Sequence, residues 1–144
     1  MERWLWVRAL RRPPITPANH PLAGQKSVTP EECLAYPLIG FDPADPYGHN
    51  IAKAFFNRGL TPQFAIQARY AHTVLALVGQ GLGVAVIDAF SVAAHSQSGV
   101  VTLPLDPPTP FMTYIATNAT APLSTFAESL IKFMRQEAKA VSGK

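Results

Sequence analysis

A disulfide framework is excluded at the outset, because Cys33 is the only cysteine in the sequence. A lone thiol suits a reducing compartment, and a cytoplasmic location is expected. Its setting, Glu31-Glu32-Cys33-Leu34 in a short helix, reads as a small buried apolar residue rather than a reactive nucleophile. Charge is scarce as well: 15% of residues are charged against 48% hydrophobic, which describes a globular chain and not a disordered one. No run approaches the roughly 18 uncharged apolar residues of a membrane helix. The apolar stretch from Trp4 to Leu10 is broken by Arg8 and followed by further arginines, unlike a secretory signal.

Chemical constellations are also missing. His20, His49, His72 and His95 are too far apart to form a metal-ligand motif, so neither metal nor cofactor is expected. Ser91, Ser96 and Ser98 lack the strand–turn–helix setting of a nucleophile elbow. Gly79-Gln80-Gly81-Leu82-Gly83 is glycine-rich, yet it follows a helix and precedes a strand. A phosphate-cradling loop needs the reverse order, so these glycines read as a helix stop. Nothing assembles a nucleophile, a base and an orienting group, and no enzyme is expected.

What is present is a regular alternation. Residues 3–10 read as a strand, and Pro13, Pro14 and Pro17 make 11–20 an extended connector. Thr29-Pro30-Glu31-Glu32 carries a capping box with proline at the first helical position. Leu38 to Phe41 reads as a buried strand, 42–48 as a loop, and 50–58 as a helix stopped by Gly59. Residues 63–68 alternate as a half-buried strand with Phe64, Ile66 and Ala68 on one face. A helix over 71–80 then feeds the buried strand 84–87. Residues 100–105 and 111–117 are two further strands, separated by the proline-rich 106–110. The last helix, 123–139, places Phe126, Ala127, Leu130, Ile131 and Met134 on one side. Strands alternating with helices indicate an α/β fold with mostly parallel pairing.

The net charge is +3, and much of it sits in Arg3, Arg8, Arg11 and Arg12 against Glu2. This basic end is expected to be solvated. With no Lys/Arg stripe elsewhere, a folded nucleic-acid-binding face is not expected.

Several landmarks occur in a familiar order: His20-Pro21-Leu22-Ala23, Val28-Thr29-Pro30-Glu31, Tyr36-Pro37-Leu38-Ile39, the run from Leu77 to Ile87, and Pro122-Leu123-Ser124 before an amphipathic helix. Together they resemble the effector-binding domain of LysR-type transcriptional regulators over about residues 15–137. The resemblance implies a two-lobed fold like that of type II periplasmic binding proteins, with a small effector in the cleft. Residues 18–104 would form the second lobe. Residues 1–17 and 105–144 would supply the crossovers and part of the first lobe. The family's helix-turn-helix, linker helix and several first-lobe strands have no counterpart here, so the chain is read as a fragment. DNA contact is not carried over to it, and homo-oligomers are implied only for a full-length regulator. A solute-binding protein of the same fold, serving a transporter, is the alternative; it would need a signal peptide and a complete first lobe.

In open α/β sheets ligands gather beyond the carboxyl ends of strands, at helix N-termini. One such place is the loop after strand 38–41, with Phe41, Asp42 and Tyr47. The other is Arg69, Tyr70 and His72 at the start of helix 71–80. The resemblance implies that the positions of Arg69 and Tyr70 face the effector. Asp88 and Phe90 follow strand 84–87, where it places the interlobe crossover; Asp88 could instead cap the next turn. A guanidinium beside free backbone N–H groups suits a carboxylate. The effector is therefore expected to be a small anionic metabolite, such as an amino-acid or opine-like acid, with no membrane partner.

Overall fold

The structure, a computed structural model, describes residues 1–95 and 99–142; Ser96 and Ser98 lie outside the described residues. Its centre is a five-stranded sheet in the order β4-β3-β5-β2-β6. These strands are β2 (Pro14–Pro17), β3 (Leu38–Gly40), β4 (Phe64–Gln67), β5 (Val84–Val86) and β6 (Val100–Thr102). Around it lie α1 (Pro30–Leu34), α2 (Pro46–Phe56), α3 (Ala71–Gly79) and α4 (Ala89–Ala94). The ends of the chain, β1 (Glu2–Leu10) and β7 (Phe111–Asn118), pair as a separate antiparallel ribbon. Against β1 packs α5 (Thr125–Ser142).

Successive strand residues point to opposite faces, and here both faces are covered. Leu38, Val84 and Val86 enter one apolar cluster with Val28, Cys33 and Phe55. Their neighbours Ile39, Ala85 and Ile87 enter another with Ile51, Val74 and Val78. That is why these strands read as unbroken apolar runs.

The pairing differs from the mostly parallel sheet expected. β3 runs parallel to β4 and β5, whereas β2 is antiparallel to both β5 and β6, as β1 is to β7. The cause is β2, a buried strand where the prolines suggested only a connector. Pro13 and Pro14 donate nothing, but their carbonyls accept from Ile87 N and Leu103 N at 3.2 and 2.9 Å. Proline is tolerated in a sheet where only its carbonyl is needed.

Local signals elsewhere hold. His20 Nδ1 accepts from Leu22 N at 3.2 Å and fixes the turn into the sheet. Thr29 and Glu32 form the reciprocal capping box at the start of α1. Gly81 has φ +79 and ends α3, while Gly83 lies against the Pro37 carbonyl, where a Cβ would not fit. The helix expected at 50–58 begins earlier, because Asp45 accepts from the N–H groups of Tyr47 and Gly48 and Pro46 takes the first turn. Tyr47 therefore lies on α2, not in the preceding loop. On α5 the apolar face is incompletely covered: Ala127 and Ile131 face inward, whereas Phe126 is 88% exposed and Leu130 57%.

Candidate functional site

The first candidate group forms where β4 gives way to α3. Ala68 N donates to the Gly40 carbonyl at 2.8 Å and holds the end of β4. Arg69 and Tyr70 then leave the sheet and are exposed. Tyr70 occupies the cap position of α3 but offers no side-chain hydrogen bond, and among the described residues no side chain accepts from the first N–H groups of that helix. The rings of Tyr70 and His72 stack at 5.6 Å with planes 10° apart, and His72 lies 5.9 Å from His95. No hydrogen bond or ion pair holds the Arg69 guanidinium among the described residues. A cation, an uncapped helix start and a flat ring pair together favour an anion with a planar face.

The second group lies under α2 and α4. The Phe41 ring is buried and meets Tyr47 edge-on at 4.9 Å. The Tyr47 hydroxyl donates to Asp88 Oδ2. Asp88 is 4% exposed and caps α4: Oδ1 accepts from Ser91 N at 2.9 Å and Oδ2 from Ser91 Oγ at 2.7 Å. Burial, then the hydrogen bond to Asp88, raise the Tyr47 phenol above its ordinary value, so it stays a donor. Asp42 stands apart, its carboxylate accepting from Ala44 N at 2.9 Å in a local turn.

The structure thus brings together Phe41, Tyr47 and Asp88, and separately Arg69, Tyr70 and His72. Among the described residues no hydrogen bond, ion pair or ring contact joins the two groups directly. The short helix α4 spans between them, with Asp88 at its start and His95, beside His72, at its end.

One residue of this neighbourhood escaped the sequence reading. Arg12, grouped there with a solvated basic end, is only 2% exposed. Its Nη2 donates to Asn50 Oδ1 at 2.7 Å, and its guanidinium carbon lies 5.4 Å from the Phe111 ring centre. Burial pulls its pKa down to about 10. The signal was the alternation Leu10-in, Arg11-out, Arg12-in leading into β2, which a run of arginines masks.

Among the described residues there is no group of three or more His, Cys, Asp or Glu able to hold a metal, and no helix long and apolar enough to cross a membrane. Comparison with known families matches residues 7–139 to the LysR substrate binding domain. The chain belongs to this LysR substrate-binding family. Among curated relatives, the HTH-type transcriptional regulator CysB of Burkholderia cenocepacia is 33% identical over 91 residues. That alignment spans 63% of this chain and 29% of CysB, so the chain matches less than a third of the relative's length. HinK, a LysR family transcriptional regulator from Pseudomonas aeruginosa, superposes with a TM-score of 0.78 at 22% identity, covering 95% of this chain and 48% of HinK. The regulatory domain of CcmR from Synechocystis PCC6803, in complex with 2-PG, gives 0.75 at 14% identity, covering 96% of this chain and 67% of that domain. The LysR substrate-binding fold is the type II periplasmic-binding-protein-like one, and the family is one of transcriptional regulators rather than enzymes.

Proposed function

We propose that this chain senses a small anionic metabolite, such as an amino-acid or opine-like acid, on behalf of a transcriptional regulator. In this reading residues 18–104 form one lobe, whose sheet β2 (Pro14–Pro17) completes, while the rest of 1–17 and 105–144 supply the crossovers and part of the other, the effector lying between them. The observation that carries it is Arg69: an exposed guanidinium without a partner among the described residues, next to the uncapped start of α3. Tyr70 and His72 offer the flat wall. Phe41, Tyr47 and Asp88 form the second, more buried wall, and Asp42 stands at its rim. The 2-PG complex of one structural neighbour supports a small-molecule role at the level of the fold. A transporter role is not favoured, because the matched relatives are regulators. DNA contact and homo-oligomer formation belong to the whole regulator in this proposal, and a cytoplasmic setting follows from that role.

The test is a thermal-unfolding screen of the chain against amino acids, opine-like acids and the neutral amides of both. At least one acid is expected to raise the unfolding temperature where its amide does not. Equal shifts from acids and amides, or none from either, refute the anionic reading.

A further inference from the structure

A groove of about 520 Å³ runs between β1 and α5, and none of the residues at the start of α3 or around Asp88 lines it. Alternation along β1 turns Arg3 and Leu5 toward this groove and leaves Trp4 and Trp6 exposed on the other face. On α5, Glu128, Lys132, Arg135 and Lys139 follow one another at intervals of three and four residues and so share one face. Four cations therefore meet a single carboxylate, an excess equal to the +3 of the whole chain. Among the described residues none of the four enters an ion pair; Arg135 alone is held, its Nη2 donating to the Trp6 carbonyl at 3.3 Å. Like charges at these helical spacings destabilise one another. Lys139, in the last turn, is favoured by the helix dipole, but Lys132 and Arg135 have no such offset. An arrangement that repels itself in the free chain is relieved by an anion that spans it.

We propose that this groove binds a short linear polyphosphate chain, a di- or triphosphate, carried on a nucleotide or free. Spacing chooses the class of anion. Lys132 and Lys139 stand about 10 Å apart along the helix axis, with Arg135 between them and Arg3 opposite on β1. A lone carboxylate or phosphate reaches one or two of these cations, whereas a di- or triphosphate spans them. The volume falls in the range of pockets that take small-molecule ligands. Leu5, Leu123 and Ile131, each half-buried, give the groove an apolar floor on which a base or similar flat body can lie. Glu128, at the other end of the stripe from Lys139, repels phosphate and so directs the charged chain toward Arg135 and Lys139. The cations converge on one groove instead of spreading over an open face, which favours a compact polyanion over a nucleic-acid duplex. The groove is independent of the α3 site and does not rest on it.

The test titrates tripolyphosphate and, separately, ATP into the 144-residue chain at low salt without divalent metal, with sulfate at equal ionic strength as control. Calorimetry is expected to show saturable binding of both polyphosphates, weakening as salt is raised. Lys132→Gln combined with Lys139→Gln should weaken both by about tenfold or more, the scale of one charge-assisted contact. The double variant should unfold no lower than wild type, because a repulsion has been removed. Lys132→Arg, which keeps the charge, should bind as wild type does. ATP held more tightly than tripolyphosphate identifies the nucleotide as the source; equal affinity identifies the free chain. Absence of saturable heat from either ligand in wild type overturns the proposal, and this reading needs no variant to fold. So does binding that survives the double variant, or sulfate bound as tightly as tripolyphosphate. A short single-stranded DNA that displaces ATP at lower concentration than tripolyphosphate also overturns it, in favour of a nucleic-acid surface. Arg69→Ala separates the two sites: tripolyphosphate binds it as it binds wild type, whatever becomes of the metabolite screen.

Discussion

The Tyr47 hydroxyl donates to the Asp88 carboxylate across 41 positions of sequence, and so ties the first turn of α2 to the first turn of α4. The same carboxylate caps α4 through Ser91. One buried acid thus fixes the two helix starts that form the inner wall of the proposed effector site.

Removing either partner should loosen that wall. Tyr47→Phe is expected to lower stability by about 1.5 kcal/mol, the scale of a hydrogen bond to a charged group. Asp88→Ala should cost more, about 3 kcal/mol, because it removes the α4 cap and strands the Tyr47 hydroxyl. Urea unfolding of both singles and the double variant measures the coupling. Strictly additive losses would mean that the two residues act independently.

Acid should weaken the fold through His20. Its Nδ1 must be unprotonated to accept from Leu22 N, and burial lowers its pKa below the ordinary imidazole value. The unfolded chain therefore binds more protons in the window just below pH 6.5, and stability rises with pH across it. Unfolding midpoints measured between pH 5 and 7.5 should show this slope in wild type. The slope should shrink in His20→Asn, which keeps an acceptor at the cap without titrating. An unchanged slope would assign the dependence to another group.

Cys33 should be inert while the chain is folded. It is fully buried, and burial pushes its thiol up to about 12. Iodoacetamide at pH 8 is expected to leave it unmodified until denaturant is added. Rapid labelling of the folded chain would contradict its place in the core.

Much of this architecture is legible in the residues, and the failures have physical causes. Thr29-Pro30-Glu31-Glu32 announces α1 because the cap, the proline and the glutamate act within one turn. Val84 to Ile87 reads as a buried strand because its alternate residues enter opposite clusters. β2 is hidden because its prolines contribute through carbonyls, which local sequence rules do not register. Asp45-Pro46 is the same kind of start signal as Thr29-Pro30, but the loop-rich Asp42 to Gly48 composition obscures it. At the site, Arg69 and Tyr70 can be placed from the strand–helix junction alone. The bond between Tyr47 and Asp88 depends on elements distant in sequence, and no local pattern encodes it; the burial of Arg12 follows a local alternation that the run of arginines masks.

Self-association is the expected behaviour of the isolated chain. Trp4 and Trp6 on one face of β1 are 62% and 53% exposed, and Phe126, Leu130 and Phe133 are exposed on α5. Apolar surface of this kind seeks cover. Sedimentation at micromolar concentration should show oligomers, with fewer in Trp4→Glu combined with Phe126→Glu. Hydrogen exchange should be slowest between residues 18 and 104. A monomer at all concentrations with one cooperative transition would contradict this.

The claim that a small acid is held at the start of α3 is tested most directly by titration calorimetry of the strongest acid from the thermal screen into wild type and Arg69→Ala. The account predicts a saturable heat in wild type and an affinity at least tenfold weaker in the variant, the loss of roughly 1.4 kcal/mol or more expected for a charge-assisted contact. Equal affinity in the two proteins would remove Arg69 from the site and, with it, the placement of the effector.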